Sequence, residues 1–218
     1  MIKNVIFDMG NVLIYFKPEL YIQQLGVAEE DRGILLREVF RQVEWVRLDH
    51  GTITEAEAVE SICRRVPPRL RQAVEELVFR WWARPLSPVP GMKELAAELK
   101  ALGLKLYLLS NASIQQCKYH DRIPGTEYFD GRIVSAEHKL IKPQREIYQL
   151  LLDTYGLQAE ECLFIDDSPL NVEGAYCVGI RGIVFDGDLP RLRRELQGFL
   201  LLRNAEAQSQ QAGLRETL

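Results

Sequence analysis

The chain has 218 residues, 47% hydrophobic and 27% charged, which suffices to bury a real core in one domain carrying a sizeable insertion. Its formal net charge of −4 excludes the excess of clustered Lys and Arg that announces a nucleic-acid surface. Cys63, Cys117, Cys162 and Cys177 lie far apart, with no Cys-x-x-Cys and no His at ligand spacing, so neither a zinc site nor a redox pair is expected.

The first apolar run, Val5 to Phe7, is interrupted by Asp8 and Asn11 before a signal-peptide core could form. No later stretch approaches membrane-spanning length, so a cytoplasmic location without a membrane partner is the expectation. From about Phe16 to Arg84 the periodicity is helical. Helices are expected over Pro18 to Leu25, Glu29 to Gln42 and Arg69 to Ala83, and Thr54-Glu55-Ala56-Glu57 is a capping box opening one whose stripe is Ala56, Val59, Ile62 and Val66.

Beyond the insertion, branched and aromatic runs at Leu104 to Leu109, Arg132 to Val134, Cys162 to Ile165 and Gly182 to Phe185 predict strands. Between them, Met92, Leu95, Leu99 and Leu102 end at Gly103, Ile147 to Tyr155 ends at Gly156, and Val172 to Tyr176 ends shortly before Gly179, as helices do. Strands alternating with helices imply an α/β fold: a doubly wound parallel sheet, Rossmann-like, with an inserted α-helical cap. Residues 1–15 and 85–200 are expected to form the core, 16–84 the cap, and 201–218 a polar tail that frays.

Ligands of an open parallel sheet bind outside the carboxyl ends of its strands, where Asp8, Ser110 and Asp167 would lie together. The set suits phosphate chemistry. A phosphate monoester repels an attacking carboxylate, so positive charge is needed: Lys142 supplies one, and Mg²⁺ held by Asp8, Asp167, waters and the Gly10 carbonyl supplies the other. The Ser110 hydroxyl and the Asn111 amide or backbone N–H would hold transition-state oxygens, each such donor being worth roughly 3 kcal/mol in comparable sites. Asp8 would then attack phosphorus, giving an aspartyl phosphate that water hydrolyses.

These residues stand in four motifs that resemble those of the haloacid dehalogenase superfamily, in the family's order: Phe7-Asp8-Met9-Gly10-Asn11-Val12, Leu109-Ser110-Asn111, Lys142-Pro143, and Phe164-Ile165-Asp166-Asp167-Ser168 with Asn171-Val172-Glu173-Gly174-Ala175. The resemblance implies Asp8 as nucleophile, Ser110, Asn111 and Lys142 as phosphate holders, Asp167 as chief metal ligand with Asp166 beside it, and a helical cap after the first motif. It also implies a departure. Most phosphatases of the superfamily carry a second Asp two residues after the nucleophile as acid and base, and here that position is Gly10, a glycine attributable to a tight backbone turn.

The Asp-x-Gly-Asn-Val form, with the cap segment Gly51 to Glu55 followed by Ile62-Cys63, resembles bacterial sugar phosphatases of the α-glucose-1-phosphatase type. Without an acid at position 10, leaving groups that are already weakly basic react most easily, which favours sugar 1-phosphates. Asp49 or His50 from the cap, or a bound water, is a candidate replacement for the acid, although His50 before Gly51 also reads as a plain turn residue. Trp81 and Trp82 read as packing rather than as a platform for a sugar. The expected function is a Mg²⁺-dependent phosphatase of a small phosphorylated substrate; a catalytically weak binding or regulatory protein, and a phosphomutase, are the alternatives.

Overall fold

A computed structural model describes residues 1–200; the tail expected at 201–218 lies outside the described residues. Five parallel strands form the central sheet in the order β5-β4-β1-β6-β7: β1 (Asn4–Phe7), β4 (Lys105–Ser110), β5 (Gly131–Val134), β6 (Cys162–Asp166) and β7 (Arg181–Val184). Register places Phe7 opposite both Leu108 and Ile165, so the three central strands end level with one another.

The strands bury both faces, as their apolar runs require. Ile6, Tyr107, Leu109 and Phe164 pack with α8 (Arg145–Tyr155) and α9 (Pro169–Tyr176), which follow the short α7 (Ser135–His138), while Val5, Phe7, Leu106, Leu108, Leu163 and Ile165 pack on the side of α6 (Met92–Ala101). This is the doubly wound architecture that alternating strand and helix patterns imply. Strand ends differ by one residue from those expected of the sequence, as strand boundaries usually do.

A two-stranded antiparallel ribbon, β2 (Ile14–Tyr15) with β3 (Ser87–Pro88), stands where the chain leaves the sheet and returns to it. Between them run α1 (Pro18–Gln23), α2 (Glu29–Leu35), α3 (Val43–His50), α4 (Glu55–Cys63) and α5 (Arg71–Arg80). The capping box at Thr54 is formed, with the Glu57 amide donating to the Thr54 hydroxyl and the Glu57 carboxylate accepting from the Thr54 amide. Among the described residues no helix is long and apolar enough to cross a membrane.

One long helix over Glu29 to Gln42 does not form. After α2 the chain makes a single π turn, Leu36–Phe40, and α3 starts afresh after Gln42, whose backbone is extended. His50 is accordingly a helical residue rather than a turn residue, and Gly51 caps the helix at φ 70°. The sequence conceals α3 because its stripe is inverted: Val43 and Val46 face solvent while Glu44 is buried.

Arg65 makes that burial possible. It donates to both Glu44 oxygens at 2.7 and 3.0 Å and to Glu38 at 3.0 Å, bringing three segments of the insertion together. These bonds, ahead of the opposing effect of burial, hold the Glu44 pKa down at about 2 against an ordinary 4.5. Removing the cation leaves the buried Glu44 carboxylate with the Ser61 hydroxyl and no counter-charge, while Glu38 keeps Arg37 at 2.8 Å; such a loss costs about 3–5 kcal/mol in a dry interior, and because Arg65 is 37% exposed, Arg65→Met is expected to cost about 2 kcal/mol in urea unfolding at pH 7. A depressed carboxylate stabilises above its unfolded pKa and loses that contribution as pH falls, so the gap between variant and wild type closes between about pH 4.5 and 2.

Candidate active site

Asp8 follows β1 immediately, and its amide donates to the Ile165 carbonyl at 2.8 Å, fixing it beside the end of β6. Ser110 ends β4 and Asp166 ends β6. Lys142 comes from the loop before α8, and its ammonium donates to Asp8 Oδ1 at 2.6 Å, Asp166 Oδ2 at 2.6 Å and the Leu109 carbonyl at 2.9 Å. Residues 134 positions apart thus form one buried ion-pair group.

The charge balance within this group is unusual. Burial pushes the Asp8 carboxyl from 3.8 to about 7; Lys142 opposes the shift and Asp166 adds to it. Burial also works against the Lys142 cation, but its two carboxylate partners outweigh it and its pKa is raised. Asp167 is raised as well, by burial first, against the pull of Asn11, whose amide donates to Oδ2 at 2.9 Å. Oxygens of Asp8, Asp166 and Asp167 lie within 4.8 Å of one another, a set of hard donors suited to a divalent cation such as Mg²⁺. Gly10 lines the same pocket.

Ser110 Oγ is buried with no hydrogen-bond partner, an unsatisfied donor at the strand end. The Asn111 side chain is differently placed from the sequence expectation. Its amide donates to the Lys142 carbonyl at 3.0 Å and its Oδ1 accepts from the Lys142 amide at 2.9 Å, so it clamps the backbone of the Lys142-Pro143 turn, whose peptide is cis.

Gly10 also needs correction as a tight backbone position. It does not have positive φ, and a Cβ there would meet only Asp8 Oδ2, at 3.8 Å. At Gly174, by contrast, close packing does demand a glycine, since a Cβ would sit 2.7 Å from the Pro143 carbonyl, where α9 crosses the lysine's loop. Two supporting residues carry roles that the sequence alone does not assign. Asn171 donates to both Asp166 oxygens at 3.0 and 3.1 Å, and Asn11, in the left-handed region at φ 55°, orients Asp167. A polar residue a few positions from a motif carboxylate is the signal that points to such supports.

The two candidate acids separate clearly. Asp49 lines the pocket with Asp8, and its carboxylate accepts from the Ser113 backbone; burial first, then Asp8, raise its pKa well above the usual carboxylate range. The His50 ring instead pairs with the Lys139 carbonyl at 2.9 Å. This end of α3 is pinned to the core: the Ser135 hydroxyl donates to the Asp49 carbonyl, and Gly51 approaches Ala136 so closely that a Cβ would fall 2.3 Å from its carbonyl oxygen.

A model of haloacid dehalogenase-like hydrolases matches residues 2–179, covering all four motifs and the helical insertion. The chain belongs to that family. Its relatives include the sesquiterpene phosphatase astK of Aspergillus oryzae, 27% identical over 187 residues, with 83% of this chain and 88% of the relative covered. A phosphorylated carbohydrates phosphatase of Thermotoga maritima is 27% identical over 182 residues, with 83% of each chain covered. Among solved structures, a family enzyme of Bacteroides thetaiotaomicron in complex with magnesium and inorganic phosphate superposes with a TM-score of 0.62 at 24% identity, covering 86% of this chain and 96% of that one. Within the haloacid dehalogenase-like family this chain is a hydrolase whose buried carboxylates and lysine converge at the sheet edge.

Proposed function

We propose that the chain is a Mg²⁺-dependent phosphatase that hydrolyses a small phosphorylated metabolite through an aspartyl phosphate on Asp8, with residues 16–84 acting as its cap. The observation that carries this reading is the convergence of Asp8, Asp166, Asp167 and Lys142. Both curated relatives described above are phosphatases, and the magnesium and phosphate in the Bacteroides enzyme agree with the donor set here.

Asp8, Asp167 and the Gly10 carbonyl, with Asp166 beside them, would hold Mg²⁺, which when bound offsets the negative charge of the phosphoryl group. The Asp8 carboxylate attacks phosphorus as the ester P–O bond breaks, and Lys142 keeps that carboxylate aimed and ionised. Ser110 Oγ, already desolvated and unpartnered, and the Asn111 N–H donate to phosphoryl oxygens. Asp49 gives its proton to the departing oxygen, then takes one from the water that hydrolyses the aspartyl phosphate.

Phosphate release from a panel of monoesters, with and without Mg²⁺, tests the reading, together with acid-quench mass spectrometry of the peptide containing Asp8. Mg²⁺-dependent release and one phosphoryl group on that peptide are expected. Metal-dependent ligand binding without turnover would instead support the binding protein that Gly10 suggests, and return of label to substrate would support a mutase. Asp49→Asn is expected to lower kcat/KM roughly tenfold and to remove the alkaline fall in rate that a required protonated acid imposes. An unchanged pH profile in that variant would leave Asp49 without this role.

The leaving-group argument for sugar phosphates asks for a weakly basic oxygen, not for hydroxyl groups around it. The two relatives named for terpene and carbohydrate substrates divide in the same way. The substrate's organic half is therefore read from the pocket itself.

A further inference from the structure

The pocket above Asp8 is a cavity of about 240 Å³ whose two halves differ in chemistry. Its floor, at the sheet edge, carries Asp8, Asn11, Asn111, Lys142 and Asp167. Its outer half is built by the ribbon and the helical insertion from Ile14, Phe16, Trp45, Leu48, Val78 and Trp81, with the Tyr119 ring closing one side. In that half the polar groups are the Asp49 carboxyl, the Tyr119 hydroxyl and the indole N–H groups of Trp45 and Trp81.

We propose that the site takes phosphate monoesters of apolar, ring-bearing alcohols, with the ring lodged against Phe16, Trp45 and Trp81. The proposal rests on the phosphatase reading and names the substrate class for the same site. A desolvated hydroxyl that finds no partner loses more than the contact is worth, and a hexose would bring several hydroxyls to a wall built mainly of hydrocarbon, with few partners for them. An apolar ring needs none.

The wall is also formed in advance. Phe16 packs against Trp45 with centroids 5.6 Å apart and edge-on against Trp81 at 5.3 Å, and Trp81 packs against Tyr119 at 5.3 Å. Aromatic faces held this way present flat apolar surface with little ordering left to do on binding. Trp81, Leu48 and Val78 are each less than a tenth exposed, so this part of the wall is held in place by packed side chains. The requirement set by Gly10 is met as well, because phenolic oxygens are weakly basic leaving groups just as anomeric oxygens are.

Benzyl phosphate and glucose 6-phosphate test the inference, since both leave as primary alcohols and differ chiefly in apolar against hydroxylated rings. With Mg²⁺ present, kcat/KM is expected to favour benzyl phosphate at least tenfold. Val78→Thr, nearly isosteric, is expected to lower the benzyl value severalfold and leave the glucose value equal or higher. A D8N-sensitive activity that prefers glucose 6-phosphate, or treats the two alike, overturns the inference while the phosphatase reading stands. If neither ester releases phosphate, and phenyl phosphate and glucose 1-phosphate with their weakly basic oxygens do not either, the phosphatase reading fails, and the thermal shifts given by benzylphosphonate and the glucose 6-phosphonate analogue still decide which ring the chamber accepts. A larger shift with the glucose analogue overturns it there.

Discussion

Asp8→Asn is expected to lower Mg²⁺-dependent turnover by roughly 10⁴-fold or more, the scale on which removal of a nucleophile acts. It should do so without unfolding the protein. Asp8 carries a burial penalty that lifts its pKa to about 7, so the folded state binds a proton that the unfolded chain gives up near 3.8. The carboxylate's contribution to stability is therefore lost as pH rises through that window, and above pH 7 the full deficit, on the order of a few kcal/mol with the opposing pull of Lys142 already included, is present. Asn has no such proton to lose, and Lys142 keeps Asp166 as partner at 2.6 Å. Metal-free melts should show the variant at or above wild type at pH 8, with a flatter profile between pH 4 and 7. Residual turnover within tenfold of wild type would remove Asp8 from the role of nucleophile.

That trade between stability and reactivity explains why the centre of the site is legible in the sequence and its surroundings are not. Asp8, Ser110 and Asp167 come directly from topology, since apolar runs that must be parallel strands carry these polar residues at their tips, where they must meet; Lys142, in the loop before α8, and Asp166 are legible only through their motifs. Local pattern then fails wherever a polar group is buried for a partner distant in sequence. Glu44 sits inside because Arg65 is there to meet it, and this inverts the stripe of α3. Asn111 turns from the phosphate position to the Lys142 backbone for the same kind of reason, as a hydrogen-bond pattern set by a loop 31 positions away. Trp81 reads as packing in the sequence, and it is packing, since it touches four other rings, yet it also lines the cavity. A buried ring can serve both ends, and only the position of the cavity tells them apart.

Gly10→Asp is expected to speed breakdown of the phosphoenzyme roughly 100-fold, the lower end of the range that a positioned acid or base contributes. The backbone already accepts a side chain at position 10, because φ is ordinary and a Cβ stands in normal contact, 3.8 Å, from Asp8 Oδ2. A carboxyl grown from that Cβ reaches the neighbourhood of the bond that Asp8 makes, where it can protonate a departing oxygen and then activate water. Its own charge opposes ionisation of Asp8, so the gain requires Mg²⁺ and should vanish when the metal is chelated. Two consequences separate a gained acid from a general loosening of the site. Strongly basic leaving groups should gain more than phenols, and Asp49→Asn, costly in wild type, should become nearly silent in the Gly10→Asp background, because two groups sharing one proton-transfer role are not additive. Single-turnover chase of the labelled phosphoenzyme measures the first step directly. Unaltered or slower breakdown in a folded Gly10→Asp protein would mean that proton transfer does not limit this site.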